Sequence, residues 1–457
     1  MKTMNEIIAF SKRRGFVYPG SEIYGGEAGL YDFGPYGVEL LNNIKKQWWC
    51  ANVQMKPNYV GLDSAMFKAP ETWVASGHVG GFADPLSECK NCHTRIRVDK
   101  ELTKIGVPAD EKMSESELQE VFDANKQSIK CPTCKENSWT EPKMFNLLVQ
   151  SNLGNFAGQD DAPVYLPGEA CQGIYLNYKN IVDTTRVKIP FGVAQIGKAF
   201  RNEISPRNFL FRCREFEQAD TQYFVKPHEN EKPYNEIKQE RMDWYVKLGV
   251  NPENLRFRRH EYLVFYANDA WDIEYNFPTY GFDELEGIHD RTDYDLSQHM
   301  KHSGADLNYT DPTTNEKYIP WILETSVGMG RMFLAFLCDA YTVENVGDNE
   351  RVVLKLAKEL APIKAAVFPL LKNKPELVAK AREIYAQLSA EMMCEFDDNG
   401  NIGKRYRRQD EIGTPSCVVV DFDTLDENSP NFDTVAVRDR DTMEQARVKI
   451  DELINVL

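Results

Sequence analysis

No stretch of the 457-residue chain approaches the ~20 consecutive apolar residues of a membrane-spanning helix, and the opening MKTMNEIIAFSKRRGF lacks the apolar core of a signal peptide. A cytoplasmic protein without a membrane partner is expected. Internal repeats and low-complexity tracts are absent too, which argues against solenoids and linkers. With 42% hydrophobic and 27% charged residues the chain is not generally disordered, and its length suits two to three domains with substantial cores. Basic charge is in short supply: 54 Lys and Arg face 70 Asp and Glu, a net charge of −16. A nucleic-acid partner would therefore have to be met by local basic patches, since net charge is a property of the whole molecule.

Disulfides are not what the ten cysteines predict. Four of them form the pairs Cys89-x-x-Cys92 and Cys131-x-x-Cys134, and the other six (Cys50, Cys171, Cys213, Cys338, Cys394, Cys417) are scattered through segments that read as core. That pattern fits a reducing compartment and one metal site. Two thiolate pairs on tight knuckle turns offer the four soft ligands of a closed structural zinc site; reduced, unliganded thiols are the alternative. His93 adjoins the first pair, but the set is already complete and it reads as solvated. Between the pairs a helix runs from about Glu115 to Ala124, introduced by the capping box Ser114-x-x-Glu117.

The most informative stretch is Gly197 to Phe224. Phe200-Arg201-Asn202-Glu203 and Arg212-Cys213-Arg214-Glu215-Phe216 read as two strands around a loop holding Pro206 and Asn208. The two-residue period sends Arg201 and Glu203 to one face, and Arg212, Arg214 and Phe216 to one face of the second strand. Guanidinium groups grip phosphates, a ring stacks on a base, and a carboxylate accepts from an exocyclic amine. ATP offers all three; a charged, solvated hairpin is the plainer reading.

Elsewhere, Tyr36 to Asn52 reads as a helix with Val38, Leu41, Ile44 and Trp48 on one stripe, followed by an extended run from Val53 to Tyr59 carrying Pro57. Helices are expected over Tyr234–Leu248 and Met332–Tyr341, and strands over Leu255–Tyr266 and Ile319–Leu323. Asp283-Glu284-Leu285-Glu286-Gly287 sets carboxylates together, which are costly to bury without a cation, so a magnesium-nucleotide site accounts for them better than packing does. Glu324-Thr-Ser326-Val-Gly328-Met329-Gly330-Arg331 makes a sharp strand-to-helix turn that a ligand can approach closely. From Val352 strands and helices alternate: Ala365–Phe368, helix Glu376–Met392, Ser416–Asp421, Thr434–Arg438 and helix Thr442–Leu457. This is a small α/β domain of its own. Its basic run Lys404-Arg405-Tyr406-Arg407-Arg408 is either a nucleic-acid patch, with Tyr406 stacking a base, or a solvated helical face balanced by Asp410 and Glu411.

Three of these strings, in this order, resemble the signature motifs of class II aminoacyl-tRNA synthetases: the helix with its proline-bearing run, Phe-Arg-x-Glu with Arg-x-x-x-Phe-x-x-x-Asp (Phe200 to Asp220), and Gly-x-Gly-Arg (Gly328 to Arg331). The wording of residues 201–207 is similar to the dimeric glycyl-tRNA synthetases, that of 407–415 resembles the anticodon-binding domain of glycyl and related synthetases, and the resemblance covers nearly the whole chain. It implies an α+β fold: an antiparallel sheet flanked by helices over residues 1–348, a cysteine-bearing insertion over 85–140, and a C-terminal α/β anticodon-binding domain over 349–457. It further implies a homodimer that activates glycine with ATP and Mg2+ and passes the glycyl group to tRNA(Gly). Arg201 and Arg331 are the catalytic residues it implies. ATP would be held by them with Asn202, Glu203, Phe211, Arg212, Phe216, Glu284, Leu285, Gly328, Met329 and Gly330, and Glu284 would also hold magnesium. Glycine would meet Arg97, Glu169, Phe216, Glu217, Asp220, Glu324 and Ser326. Asp220 stands where the family has Glu, and Pro167-Gly168 replaces the family's Arg-Pro before Glu169. Two rivals remain: a synthetase of the same class for threonine or proline, and a catalytically silent relative that only binds nucleic acid. The acidic set Glu169, Asp220 and Glu324 speaks against the first, and the joint presence of Arg201, Glu203, Phe216 and Arg331 against the second.

Overall fold

A computed structural model describes residues 2–109, 113–152, 163–204, 206, 208–261, 263 and 267–457. Ser205, Arg207 and Tyr266 lie outside the described residues, so the loop wording at 201–207 and the far end of the strand expected to reach Tyr266 are described only in part.

The core is a seven-stranded sheet of β1 (Tyr59–Gly61), β2 (Phe191–Phe200), β3 (Glu215–Val225), β4 (Leu255–Arg259), β5 (Asp269–Phe277), β6 (Gly281–Thr292) and β7 (Trp321–Gly328). Their spatial order is β4-β5-β6-β7-β3-β2-β1, and every neighbouring pair is antiparallel except the edge pair β1 and β2. One face is buried under α1 (Pro35–Trp49), α2 (Glu231–Lys247) and α3 (Met329–Ala340). α1 starts where Gly34 and Pro35 favour a helix N-terminus. It buries Leu40, Leu41, Ile44 and Trp48, whereas Val38, expected on that stripe, is 39% exposed. The apolar α3 is the central plank, with Met332, Phe333, Leu334 and Leu337 fully buried.

Alternation then fixes what each strand shows. On β3, Ala219, Thr221, Tyr223 and Val225 face the helices, and Gln218, Asp220 and Gln222 face the other way. The register of β5 on β6 slips by one residue, pairing Ile273 with Glu286 but Glu274 with Glu284, so Leu285 is an extra, bulged residue.

Several expected elements are corrected. The first strand of the central hairpin ends at Phe200 and the second starts at Glu215, so Arg201, Asn202, Glu203 and Arg212 sit on the connection. A short helical turn, Phe209–Phe211, buries its three apolar residues and draws the chain out of the extended state. The helical state continues as a wide turn over residues 50–54, so the run expected to be extended from Val53 begins helical, and Pro57 precedes the strand at Tyr59. β4 stops at Arg259.

The cysteine-bearing unit is a three-stranded sheet (Ala83–Glu88, Arg95–Arg97, Lys143–Asn146) with helices Val98–Lys104 and Glu115–Asn125. The capping box is formed as expected, Ser114 accepting from the Glu117 amide and Glu117 from that of Ser114. A hairpin of Tyr341–Val346 and Asn349–Leu354 leads to the C-terminal sheet: β8 (Ala365–Pro369), β9 (Cys394–Phe396), β10 (Ser416–Val420), β11 (Thr434–Asp439) and β12 (Gln445–Lys449). Helices α4 (Pro375–Ser389) and α5 (Ile402–Ile412) pack on it. The long helix expected over 442–457 is instead β12 paired to β11, followed by a short helix Leu453–Val456.

Candidate active site

The sheet face opposite the helices carries the chemistry. Strand register lines up Asp272, Gly287, Ser326, Asp220 and Gln195 in one row across β5, β6, β7, β3 and β2, and His289, Glu324 and Gln222 in the next. At one end of this face a cavity is lined by Arg201, Glu203, Phe211, Arg212, Phe216, Gln218, Glu284, Ser326, Gly328, Gly330 and Arg331. Strings far apart in sequence are thus brought together around one space.

Each cation in it is held. The Arg201 guanidinium lies between the rings of Phe82 and Phe216, 5.3 Å from both centroids, and its Nε donates to the Gly168 carbonyl at 3.1 Å. That bond ties Arg201 to the backbone immediately before Glu169. Arg331 lies over the Phe211 ring at 4.3 Å, donates from Nε to the Phe211 carbonyl at 3.0 Å and meets Glu284 Oε1 at 2.9 Å. Its positive charge holds the half-exposed Glu284 carboxyl below its ordinary range. Arg212 reaches toward Glu203 at 3.7 Å. Gly328 separates Phe216 from Arg331; a Cβ there would touch both at 3.9 Å.

Beyond Ser326 the face turns into a buried acidic pocket. Glu324 is 4% exposed and Asp220 0%. Burial would raise the Glu324 carboxyl, but Arg291, whose Nη1 donates to both its oxygens at 3.1 Å, and His289 at 3.2 Å hold it down at about 2. Gln222 donates to its Oε2 at 2.8 Å and is itself fixed by the Tyr175 hydroxyl at 2.8 Å. Glu169 accepts from Gln172 at 2.7 Å and lies 3.5 Å from His78 Nε2; these neighbours and Arg291 outweigh its burial and keep it low. Asp220 is the exception. Among the described residues neither carboxylate oxygen has a well-aligned hydrogen-bond partner, and burial beside Glu324 outweighs the nearby Ser326 hydroxyl and pushes its pKa well above the carboxylate range.

Several expected ligands point elsewhere. Leu285 and Met329 are 1% exposed and belong to the core under the sheet, so their side chains cannot meet a nucleotide. Glu217 is out of phase with Phe216 and Asp220, and pairs with Lys45 of α1 at 2.6 Å. Asn202 is turned out of the cavity, its backbone N–H donating to Leu147. Arg97 is engaged by Asp84 at 2.8 Å and Asp99 at 2.5 Å, away from the acidic pocket. Glu286 is fully buried, but against a cation of the helix layer: Arg241 grips it with Nε at 2.7 Å and Nη2 at 3.1 Å, and Tyr245 donates at 2.6 Å. Packing therefore explains that carboxylate, and of the acidic run it is Glu284 that lines the cavity. Conversely, Phe82, His78, Gln218, Gln222, Arg291 and His289 were missed. Arg291 had a signal, since Arg-x-x-x-Asp (Arg291, Asp295) next to the acidic run is a ready ion pair; Phe82 had none.

Away from this face, the four sulfurs of Cys89, Cys92, Cys131 and Cys134 converge within 4.8 Å of one another, with Cys89 to Cys134 and Cys92 to Cys131 both at 3.5 Å. This is the spacing of ligand atoms around one tetrahedral ion. His93 stays outside, exposed and 2.8 Å from Glu88. In the C-terminal domain the basic run divides. Lys404 is exposed on α5, but Arg405 is 1% exposed, its guanidinium spent on the carbonyls of Pro369, Asp398 and Gly400. Tyr406 packs edge-on to Phe368 beneath Arg438, so it does not present a free face for stacking, and Arg408 grips Asp397. Asp410 does not balance the patch; it is buried between Arg351 and Arg438, at 2.9 and 3.0 Å.

The family model described as the tRNA synthetase class II core domain (G, H, P, S and T) matches residues 156–341, and that of the anticodon binding domain matches 364–457. Among solved structures, a prolyl-tRNA synthetase of Giardia lamblia in complex with prolyl-adenylate superposes with a TM-score of 0.65 at 14% identity, covering 99% of this chain and 75% of the other, which shows the shared fold. The glycine–tRNA ligase of Caldanaerobacter subterraneus subsp. tengcongensis is 50% identical, and that of Clostridium acetobutylicum 49%, each over 99% of this chain and 97% of the relative. With identity at that level along its whole length, and the motifs of the class gathered on one sheet face, the chain belongs to the glycine–tRNA ligase family of class II aminoacyl-tRNA synthetases.

Proposed function

We propose that the protein joins glycine to tRNA(Gly) in two steps at this face. The observation that carries the reading is adjacency on one sheet face: the cavity lined by Arg201, Glu203, Arg212, Phe216 and Arg331 reaches Ser326, whose partner across the sheet is the buried Asp220, with the buried Glu324 next on that face of β7. In the first step a glycine carboxylate oxygen attacks the α-phosphorus of ATP and pyrophosphate leaves. In the second, a terminal hydroxyl of tRNA attacks the carbonyl of the adenylate and AMP leaves. The nucleophiles come from the substrates, so positioning and electrostatics are what the protein supplies. Arg201, stacked between two rings, orients the reacting carboxylate and α-phosphate and meets the charge that develops between them. Glu203 accepts from the adenine amine, Phe216 and Arg331 flank the base, and Arg212 and Arg331 hold the outer phosphates. Glu284 is the residue that would hold Mg2+, whose chemistry is to neutralise the phosphates. Glu169, Asp220, Glu324 and Ser326 seat the ammonium group.

The same proposal assigns catalysis to residues 1–348, with the cysteine-bearing insertion at 85–140, and tRNA recognition to 349–457. Lys404 carries the exposed charge of α5, with Arg407 half-buried beside it; Arg405 and Tyr406 support it from inside. Cys89, Cys92, Cys131 and Cys134 fit a structural Zn2+, a chain-knitting ion with no step in catalysis. A homodimer through the α1 and β1 region and a cytoplasmic setting complete the reading; no helix among the described residues is long and apolar enough to cross a membrane. ATP–pyrophosphate exchange over all twenty amino acids, followed by aminoacylation of tRNA(Gly), tests it. Glycine-dependent exchange is expected, and exchange driven best by a larger amino acid, or none at all, would overturn it.

A further inference from the structure

One cluster on the same face is not used by the reaction above. His260 follows β4, Asp272 is on β5 and His289 on β6, and one ligand atom from each lies within 4.8 Å of the others. His260 Nε2 sits 2.8 Å from Asp272 Oδ2, a contact that favours the protonated ring, yet among the described residues this buried nitrogen makes no well-aligned hydrogen bond. His289 Nδ1 is already committed to Glu324 Oε1 at 3.2 Å, which leaves Nε2 as its free ligand atom. The space over that nitrogen is kept open by Gly287. A Cβ there would stand 3.2 Å from His289 Nε2 and 3.9 Å from Asp272 Oδ1.

We propose that His260, Asp272 and His289 form a binding site for a divalent transition-metal ion of the Zn2+ or Co2+ type. Two imidazoles and one carboxylate are a donor set for borderline ions; magnesium and calcium prefer oxygen and would bind at Glu284 instead. Ligand atoms at about 2.0–2.1 Å from a tetrahedral zinc lie about 3.3 Å apart, so the 2.8 Å contact of His260 with Asp272 needs to open only slightly. The surroundings match what a metal-bound histidine needs. Glu324 takes the second ring nitrogen of His289, fixing its tautomer and orientation, in the carboxylate–histidine–metal arrangement. Glu284 lies close enough to act electrostatically on both His260 and Asp272, adding negative charge that favours a cation. Three protein ligands leave at least one position for solvent or a substrate oxygen. The ion would stand between Glu284 at the nucleotide end and Glu324 at the ammonium end, bracing the carboxylate that Arg291 holds from the other side.

The proposal is independent of the amino acid activated, and its test does not need activity. Full-length protein stripped with a chelator is titrated with Co2+, following metal content and the optical spectrum. Two ions per chain are expected: one with the intense near-ultraviolet charge transfer of thiolate ligation from the four cysteines, and one with only weak visible bands from nitrogen and oxygen ligands. His260→Ala and, separately, the near-isosteric Asp272→Asn should abolish the second ion while leaving the thiolate bands unchanged, which also reports that the fold is intact. A single ion with a purely thiolate spectrum in the parent protein overturns the proposal. So does a second ion whose binding both variants retain.

Discussion

Asp220 offers the sharpest test of the electrostatics. It is completely buried, neither oxygen has a well-aligned hydrogen-bond partner among the described residues, and the ionised Glu324 stands beside it, so despite the nearby Ser326 hydroxyl Asp220 stays protonated above the usual carboxylate range in the absence of ligand. An ammonium group seated between them reverses this balance, because an adjacent cation favours the charged form. Binding should therefore expel a proton. Where the empty site keeps that proton and the occupied one does not, affinity for the ammonium ligand rises tenfold per pH unit, about 1.4 kcal/mol. The sign for the empty protein is opposite. A carboxyl whose folded pKa is raised contributes stability that is lost as pH climbs from its unfolded value toward its folded value, since the folded state binds the extra proton there. Calorimetric titration with a non-hydrolysable glycyl-adenylate analogue, repeated in neutral-pH buffers of different ionisation enthalpy, counts the protons. One proton per site is expected for the parent and none for Asp220→Asn, which mimics the protonated acid. No release by the parent, or equal release by both proteins, would refute the reasoning.

Arg331→Ala removes the guanidinium that spans Phe211 and Glu284, and with charge-assisted contacts worth roughly 1.5–3 kcal/mol each, glycine-dependent pyrophosphate exchange should fall by at least about tenfold with an unchanged far-ultraviolet spectrum. Arg405→Ala strips the buried Pro369 carbonyl of its donor, at a cost of about 1–3 kcal/mol, and removes two part-buried bonds to Asp398 and Gly400, so thermal unfolding should show a destabilised C-terminal domain. Lys404→Ala, on the exposed surface, should instead lower aminoacylation while sparing both stability and pyrophosphate exchange. Cys89→Ser should release the zinc expected in protein purified without chelators, read by elemental analysis.

How far the sequence could be read depended on whether a feature was local. Phe200 to Glu203 and Gly328 to Arg331 are short strings whose residue types declare their chemistry, and they do converge on one cavity. Strand parity was also available: stepping by two from Phe216 reaches Gln218, Asp220 and Gln222, which would have placed Glu217 on the helix side, where it meets Lys45. The bulge at Leu285 was not available, because nothing in its own neighbourhood distinguishes an inserted residue from a paired one. Arg405 read as part of a basic face because its partners are backbone carbonyls, which leave no mark in a sequence. The segment after Thr442 contains Glu444, Gln445, Ala446 and Arg447, all acceptable in a helix, yet pairing with β11 holds it extended: tertiary context overrides local preference.

The acidic pocket shows why charge state is the least local property of all. Asp220, Glu324 and Glu169 come from β3, β7 and the turn before Gln172, and composition alone would treat them as three equivalent acids. The register sets Asp220 opposite Ser326 and Glu324 opposite Gln222 and His289, so the two carboxylates stand on neighbouring strands one step apart. Arg291, at the end of β6, reaches Glu324 with Nη1 and spends its Nε and Nη2 on Asp295. It forms no hydrogen bond with Asp220. Arg291 and His289, both bonded to Glu324, hold it low, whereas Arg291 acts on Asp220 only through space and burial keeps that acid high, so in the proposed site Glu324 is ionised and Asp220 depends on the ligand's own positive charge. An amino acid lacking a protonated ammonium group would find Asp220 neutral and gain nothing from it. On this reading, recognition of the amino acid begins with the charge of its ammonium group, met by acids buried on the sheet face.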